Sequence, residues 1–114
     1  MRTIIAGSRS ITNLFEVEKA WDSCGWQPTV VLSGTADGVD KLGELAAFNR
    51  NVPIERYPAN WAIFGRNAGL RRNEIMVANA EALIAVWDGV SRGTQHTINL
   101  ARQKGLRVYV HLVA

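Results

Sequence analysis

The sequence predicts a three-layer α/β fold, a parallel sheet of about five strands with helices on both faces. Three observations carry this prediction. Apolar runs closed off by glycine alternate along the whole chain with segments of helical periodicity. Two of these runs, Thr3 to Ala6 and Ala82 to Trp87, are apolar enough for strands buried on both faces. No repeat, low-complexity tract or linker interrupts the pattern, so the 114 residues read as one domain.

The elements follow in order. Thr3-Ile4-Ile5-Ala6 is a strand that runs into Gly7-Ser8-Arg9-Ser10. A helix begins near Thr12 or Asn13, with Asn13 and Glu16 at capping-box spacing. Leu14, Val17, Trp21 and Cys24 form its apolar stripe, and Gly25 stops it. The β-branched run Thr29 to Leu32 is the second strand and breaks off into Ser33-Gly34-Thr35-Ala36-Asp37-Gly38-Val39-Asp40. Val39, Leu42, Leu45 and Ala46 recur at helical spacing, giving a helix from about Val39 to Asn49. Val52 to Tyr57 is the third strand. Pro58 to Arg66 reads as an irregular link, long enough to form a lid carrying Trp61 and Phe64. A helix covers about Asn67 to Asn79, Ala82 to Trp87 is the fourth strand, and Asp88 to Gly93 is another glycine loop. Thr94 is placed to N-cap a helix that ends at Gly105, and Arg107 to Leu112 is the last strand.

Strands alternating with helices imply right-handed crossovers. The two most apolar strands, first and fourth, belong at the centre, which gives the order 3-2-1-4-5 of a Rossmann-like sheet.

Composition narrows the function without choosing it. The net charge of +3 fits a nucleotide and a nucleic acid alike. No apolar run approaches the roughly 20 residues of a membrane helix, and the first residues enter a strand without a signal-peptide pattern. With a single cysteine, Cys24, this suits a reducing cytoplasm and no membrane partner. His96 and His111 stand without companions at metal-ligand spacing, and no Gly-x-Ser-x-Gly elbow is present. No metal, Ser-His-Asp chemistry or required cofactor is expected.

Open α/β sheets bind ligands outside the carboxyl ends of their strands, where the strand order reverses. The loops expected there are Gly7 to Ser10, Ser33 to Asp40, Pro58 to Arg66 and Asp88 to Thr94. Gly34 and Gly38 either take positive φ, let a ligand approach the backbone, or simply connect strand to helix. Ser33 and Thr35 add hydroxyls, and the amides at a helix start suit a phosphate. Gly93 and Thr94 repeat that logic, with Ser91 beside them. Arg9 and Arg92 flank the switch point as phosphate contacts or as solvated charges. Arg72 shares a helix face with Met76 and Asn79, so it points toward a lined space or pairs with Glu74 or Asp40. Asp40 reads as a helix-start carboxylate, a ribose contact or a catalytic carboxylate. Trp61 is a base-stacking candidate, with packing on the following helix as the alternative. Trp21, Trp26 and Trp87 read as core or interface residues.

Gly7-Ser8-Arg9, Ser33 to Asp40 and Arg71-Arg72-Asn73 together resemble the core of the DNA-processing protein A family. Pro58-Ala59-Asn60-Trp61, Gly65-Arg66 and Trp87 to Thr94 extend this to a likeness with the YspA-like branch of the SLOG superfamily, over nearly the whole chain. The superfamily also contains the Lonely Guy phosphoribohydrolases, sensors of nucleotide-derived signals, and single-strand DNA binders. The resemblance implies a Rossmann-like fold, a nucleotide-type ligand, self-association into a homo-oligomer, and a bacterial or phage source. Arg72 and Met76 match an Arg-Lys-x-x-Met pattern, and Arg72 and Asn73 join the implied phosphate site. Lonely Guy enzymes follow Gly-Thr with a catalytic glutamate, whereas here Gln95, His96 and Thr97 follow Gly93-Thr94. The expectation is therefore binding of a nucleotide or nucleotide-derived small molecule, as sensor, carrier or sequestering protein. The alternatives are a nucleoside 5′-phosphate N-glycosidase or transferase using Asp40, and a single-stranded nucleic-acid binder.

Overall fold

In the computed structural model, which describes residues 1–114, five strands form one all-parallel sheet: β1 (Arg2–Gly7), β2 (Val30–Ser33), β3 (Ile54–Arg56), β4 (Ala82–Trp87) and β5 (Arg107–Leu112). Their spatial order is β3-β2-β1-β4-β5, as the burial of the first and fourth strands predicts. In register, Thr3 stands beside Val31 on one side and Ala82 on the other. Helices α1 (Leu14–Ser23) and α2 (Val39–Asn49) cover one face. Helices α4 (Ala68–Ala78) and α5 (Arg92–Gln103) cover the other, and a four-residue helix α3 (Trp61–Phe64) precedes α4.

Because side chains alternate along a strand, each central strand feeds both cores. Ile5, Val31, Ile84 and Val86 pack with Val17, Trp21, Val39 and Ala46. Ile4, Leu32, Leu83 and Ala85 pack with Met76, Val77, Ile98 and Ala101. Most of these side chains are completely buried, and each larger one contributes about 1.5–3 kcal/mol. Gly43 in mid-α2 costs about 1 kcal/mol of helix propensity. It is required because a methyl there would stand 2.7 Å from Cγ2 of Ile5.

Several local expectations need correction. Asn13 does cap α1, but its side chain accepts from the Phe15 N–H (3.0 Å). Glu16 turns instead to Lys19 (3.0 Å) and His111 (3.1 Å), so the reciprocal half of the capping box does not form. Strand β3 is shorter than 52–57, because the Val52 N–H bonds back to the Ala47 carbonyl and closes α2. The link 58–66 is not irregular: Asn60 accepts from the Ile63 N–H (3.2 Å), capping α3, and a 3₁₀ turn at Gly65–Asn67 leads into α4. Helix α5 starts three residues earlier than expected, with Ser91 as N-cap rather than Thr94. Thr94 lies inside the first turn, its hydroxyl 3.2 Å from that of Ser91. No helix is long and apolar enough to cross a membrane.

Candidate functional site

The helix after β1 packs on one face of the sheet and the helix after β4 on the other. These neighbouring strands therefore define the switch point, the place where an open parallel sheet leaves a crevice. A cleft of about 460 Å³ opens there. Gly7, Arg9 and Ser10 line it from the β1 loop, and Ala36 and Asp40 from the loop leading into α2. Arg72, Asn73 and Met76 come from α4; Asp88, Ser91, Gly93, Thr94 and Thr97 come from the β4–α5 side. A smaller hollow of about 140 Å³ shares Arg9, Ala36 and Arg72 with it and adds Gly34, Thr35, Pro58, Ala59 and Trp61.

The candidate glycines separate by what surrounds them. A methyl on Gly7 would stand 2.0 Å from the Val86 carbonyl oxygen and 2.8 Å from the Val39 side chain. On Gly34 it would meet Asp40 Oδ2 at 2.7 Å and Arg72 Nη1 at 2.8 Å. Gly38 has φ +76°, and a methyl would strike the Ser8 carbonyl at 2.5 Å. These three let elements pack. Gly93 alone of the four meets nothing within 4 Å. The left-handed residue following β2 is Thr35 (φ 65°), not Gly34, and its N–H is held by the Ser33 hydroxyl at 3.1 Å.

Ser8 and Ser33 turn inward. Ser8 is buried; its hydroxyl accepts from the Asp88 N–H (3.0 Å), and its carbonyl accepts from Ile11 and Val39. Ser33 is fully buried and donates to Glu44 (2.6 Å), which also holds Arg56 (2.9 Å). Neither serine lines the cleft, nor does Gly38, and Arg92 is exposed outside both spaces. Thr35 and Gly34 line the smaller hollow only.

The charged residues are arranged unevenly. Arg72 Nη1 donates to the Gly34 carbonyl, and its Nε donates to Asn73 Oδ1 (2.9 Å). Asn73 Nδ2 in turn lies 3.5 Å from His96 Nδ1 on α5. Burial lowers the Arg72 pKa; the charge of Asp40 opposes this and that of Arg9 adds to it. Neither Arg72 nor Arg9 takes part in an ion pair. The expected partner Glu74 faces Arg71 instead (3.9 Å). Asp40 is only 6% exposed. It accepts from the Ala36 N–H (3.2 Å), so it closes its own loop rather than capping the α2 amides. Burial pushes its pKa up to about 6, restrained by the Ala36 bond and by Arg72. Asp88 shapes the opposite wall, accepting from the Val90 and Ser91 N–H groups (2.9 and 2.8 Å), bonds that lower its pKa.

Trp61 is 57% exposed and forms one wall of the smaller hollow. The other tryptophans are tied down. Trp21 is buried under the Arg50 guanidinium (4.6 Å), and the Trp26 indole N–H donates to the Thr3 hydroxyl (3.0 Å). That of Trp87 donates to the Ser91 carbonyl (3.0 Å), which fixes the start of α5. No group of three or more His, Cys, Asp or Glu side chains is placed to hold a metal ion. Sequence reasoning placed the loops of Ser10, Ala36 and Asp88 at the strand ends without giving Ser10 or Ala36 a role, and it missed Ala6 and Thr97. Only Asp88, at the head of Asp-Gly-Val-Ser, carried a local signal, that of a side chain accepting amides just downstream.

A cleft at the switch point of a five-stranded parallel sheet defines a Rossmann-type α/β protein. No protein-family model matches the chain. Among solved structures it is similar to DNA processing protein A (DprA) from Streptococcus pneumoniae, with a TM-score of 0.76 and 17% identity over 96% of this chain. The chain spans about half of that protein (49%), and the likeness establishes a DprA-like fold. Among curated proteins it is 31% identical over 119 residues to the Gene 61 protein of Mycobacterium phage D29, covering 94% of this chain and 93% of that one. The chain belongs to the family of that phage protein.

Proposed function

We propose that the chain works as one SLOG-type unit of the YspA-like branch, acting in the cytoplasm and self-associating. On this reading its cleft binds a nucleotide or nucleotide-derived small molecule, as sensor, carrier or sequestering protein. The observation that carries this reading is the convergence of Arg9 and Arg72 on one cleft wall, where neither has an ion-pair partner. Arg72 is half-buried and Arg9 exposed, and the charge of Arg9 adds to the cost of burying Arg72; a phosphate relieves that cost by taking a guanidinium fork on two oxygens. The open backbone at Gly93 in the first turn of α5 adds amides and a positive dipole end. Asp40, on the same wall, is suited to a ribose hydroxyl.

The reading is tested by thermal unfolding with nucleoside monophosphates, NAD, ADP-ribose and cyclic dinucleotides. At least one should raise the Tm, since a ligand binding only the folded state stabilises it. Arg72→Ala should weaken that ligand by about 10- to 150-fold, the value of roughly 1.5–3 kcal/mol for a charged hydrogen bond. An unchanged Tm for every compound at millimolar concentration refutes the reading.

A second reading is favoured by Asp40 itself, a buried carboxyl at the cleft with a pKa near neutrality. In N-glycosidic cleavage its carboxylate would stabilise the positive charge on the ribose as the bond from C1′ to the base breaks. Water would then add at C1′ and the base would leave with a proton. Base release that is lost in Asp40→Asn would establish this activity. The DNA-processing neighbour favours a third outcome, an oligonucleotide affinity that falls steeply with salt.

A further inference from the structure

We infer that the small hollow beside the main cleft is a base subsite, so that the ligand is a nucleoside phosphate rather than a sugar phosphate. The inference rests on the main cleft taking the phosphate, as proposed above. The two spaces have Arg9, Ala36 and Arg72 in common, so one molecule spans both. A phosphate on the shared arginines leaves the attached nucleoside facing the hollow.

The outer wall of the hollow is the Trp61 indole. It sits on a helix of four residues that buries none of its own side chains, and it belongs to neither core cluster. The backbone that carries it is nevertheless fixed. Pro58 restricts the approach to the helix, Asn60 Oδ1 caps the Ile63 N–H, and the Asn60 carbonyl accepts from Phe64 (3.0 Å). An aromatic face on a fixed backbone, half exposed and lining one hollow with two guanidinium groups, is what base stacking uses.

Gly69, at the start of α4, lies beside the hollow without lining it. A methyl there would stand 3.6 Å from Arg72 Nη2 and 3.9 Å from Trp61 Cη2. Both are ordinary contact distances, so the indole and the Arg72 guanidinium both reach the surface of α4 at Gly69. The only neutral polar side chain on the hollow is Thr35. Stacking rather than edge reading then dominates, and recognition tolerates different bases.

Titration calorimetry with adenosine 5′-monophosphate and ribose 5-phosphate tests this on the wild type, Trp61→Ala, Trp61→Phe and Gly69→Leu. The wild type should prefer the nucleotide. Trp61→Ala should weaken the nucleotide by about 5- to 140-fold, the span that base stacking implies, and the sugar phosphate far less. Trp61→Phe should retain most of the preference, and Gly69→Leu, whose side chain would push aside the indole or the guanidinium beside it, should reduce it. Equal wild-type affinities, or equal losses of both probes in Trp61→Ala, overturn the base subsite while leaving the phosphate cleft standing. Failure of the wild type to bind either probe overturns both. Because Trp61 is 57% exposed, its removal leaves the core intact, as an unchanged unfolding midpoint would verify.

Discussion

Arg2 and Arg72, at opposite ends of the parallel sheet, are held in opposite ways. Where the strands begin, Arg2 is satisfied within the molecule. Its Nε donates to the Asn79 carbonyl (2.8 Å), and its fork takes both oxygens of Glu55 (2.8 and 2.7 Å). The Tyr57 hydroxyl completes the group by donating to Glu55 (2.8 Å). Arg2 is driven up in pKa by Glu55, while Arg2 and Tyr57 bring Glu55 down to about 2. Where the strands finish, Arg72 is held by a carbonyl and an amide, and burial moves its pKa the other way. Arg2 closes its end of the sheet with paired charge. Arg72 is held in place by hydrogen bonds and makes no ion pair, unlike Arg56 at the end of β3, which pairs with Glu44.

The largest way to break this contrast is Gly7→Ala. The added methyl would overlap the Val86 carbonyl, a backbone atom with no rotamer to escape through. Chemical denaturation should show a loss of about 4 kcal/mol or more, in the exceptional range for a single substitution.

Asp40→Asn comes next and sharpens the contrast through pH. A carboxyl whose pKa is 3.8 unfolded and about 6 folded binds its proton more tightly in the native state. The stability it supplies is full below about pH 4 and disappears as the pH rises through 6, leaving a penalty of roughly 3 kcal/mol at neutral pH. Urea unfolding between pH 4 and 8 should show this slope in the wild type and lose it in the variant. After allowance for one weakened hydrogen bond, the variant should be about 1–2 kcal/mol more stable at pH 7.5.

Gly93→Ala is the same chemical change as Gly7→Ala at a position with open surroundings. It should raise stability by up to about 1 kcal/mol, through helix propensity, and weaken the ligand by crowding the α5 amides. The smallest effect belongs to Arg2→Gln. Its ion pair is between side chains 35% and 42% exposed, so solvent screens it. Stability should fall slightly in denaturant, with ligand affinity unchanged; a loss of affinity would mean that the two ends are coupled.

The fold was legible because its signals are local and redundant. The runs 82–87 and 107–112 and the helix 39–49 coincide with observed elements, and the burial of two strands was enough to order the sheet. Short elements carry no such redundancy. Four residues of α3 show no period, and Ser91 and Thr94 are equally good caps in sequence, so three-dimensional context decides between them. The candidate site was legible only as a set of loops. Gly7 and Gly93 are the same residue, yet one is pressed against a carbonyl and the other opens on space. Nothing near Ser33 announces that Glu44, eleven residues on, takes its hydroxyl. Ala36 lines the cleft with no chemistry of its own to mark it.

The unpaired state of Arg9 and Arg72 has a practical consequence on the proposed reading. Guanidinium groups answer to oxygen geometry and charge before they answer to the rest of a molecule, so inorganic phosphate and sulfate are built-in competitors. Nucleotide affinity should read weaker in phosphate buffer than in a chloride medium of equal ionic strength. Inside a cell, the free-phosphate pool would set the threshold above which a nucleotide registers at all.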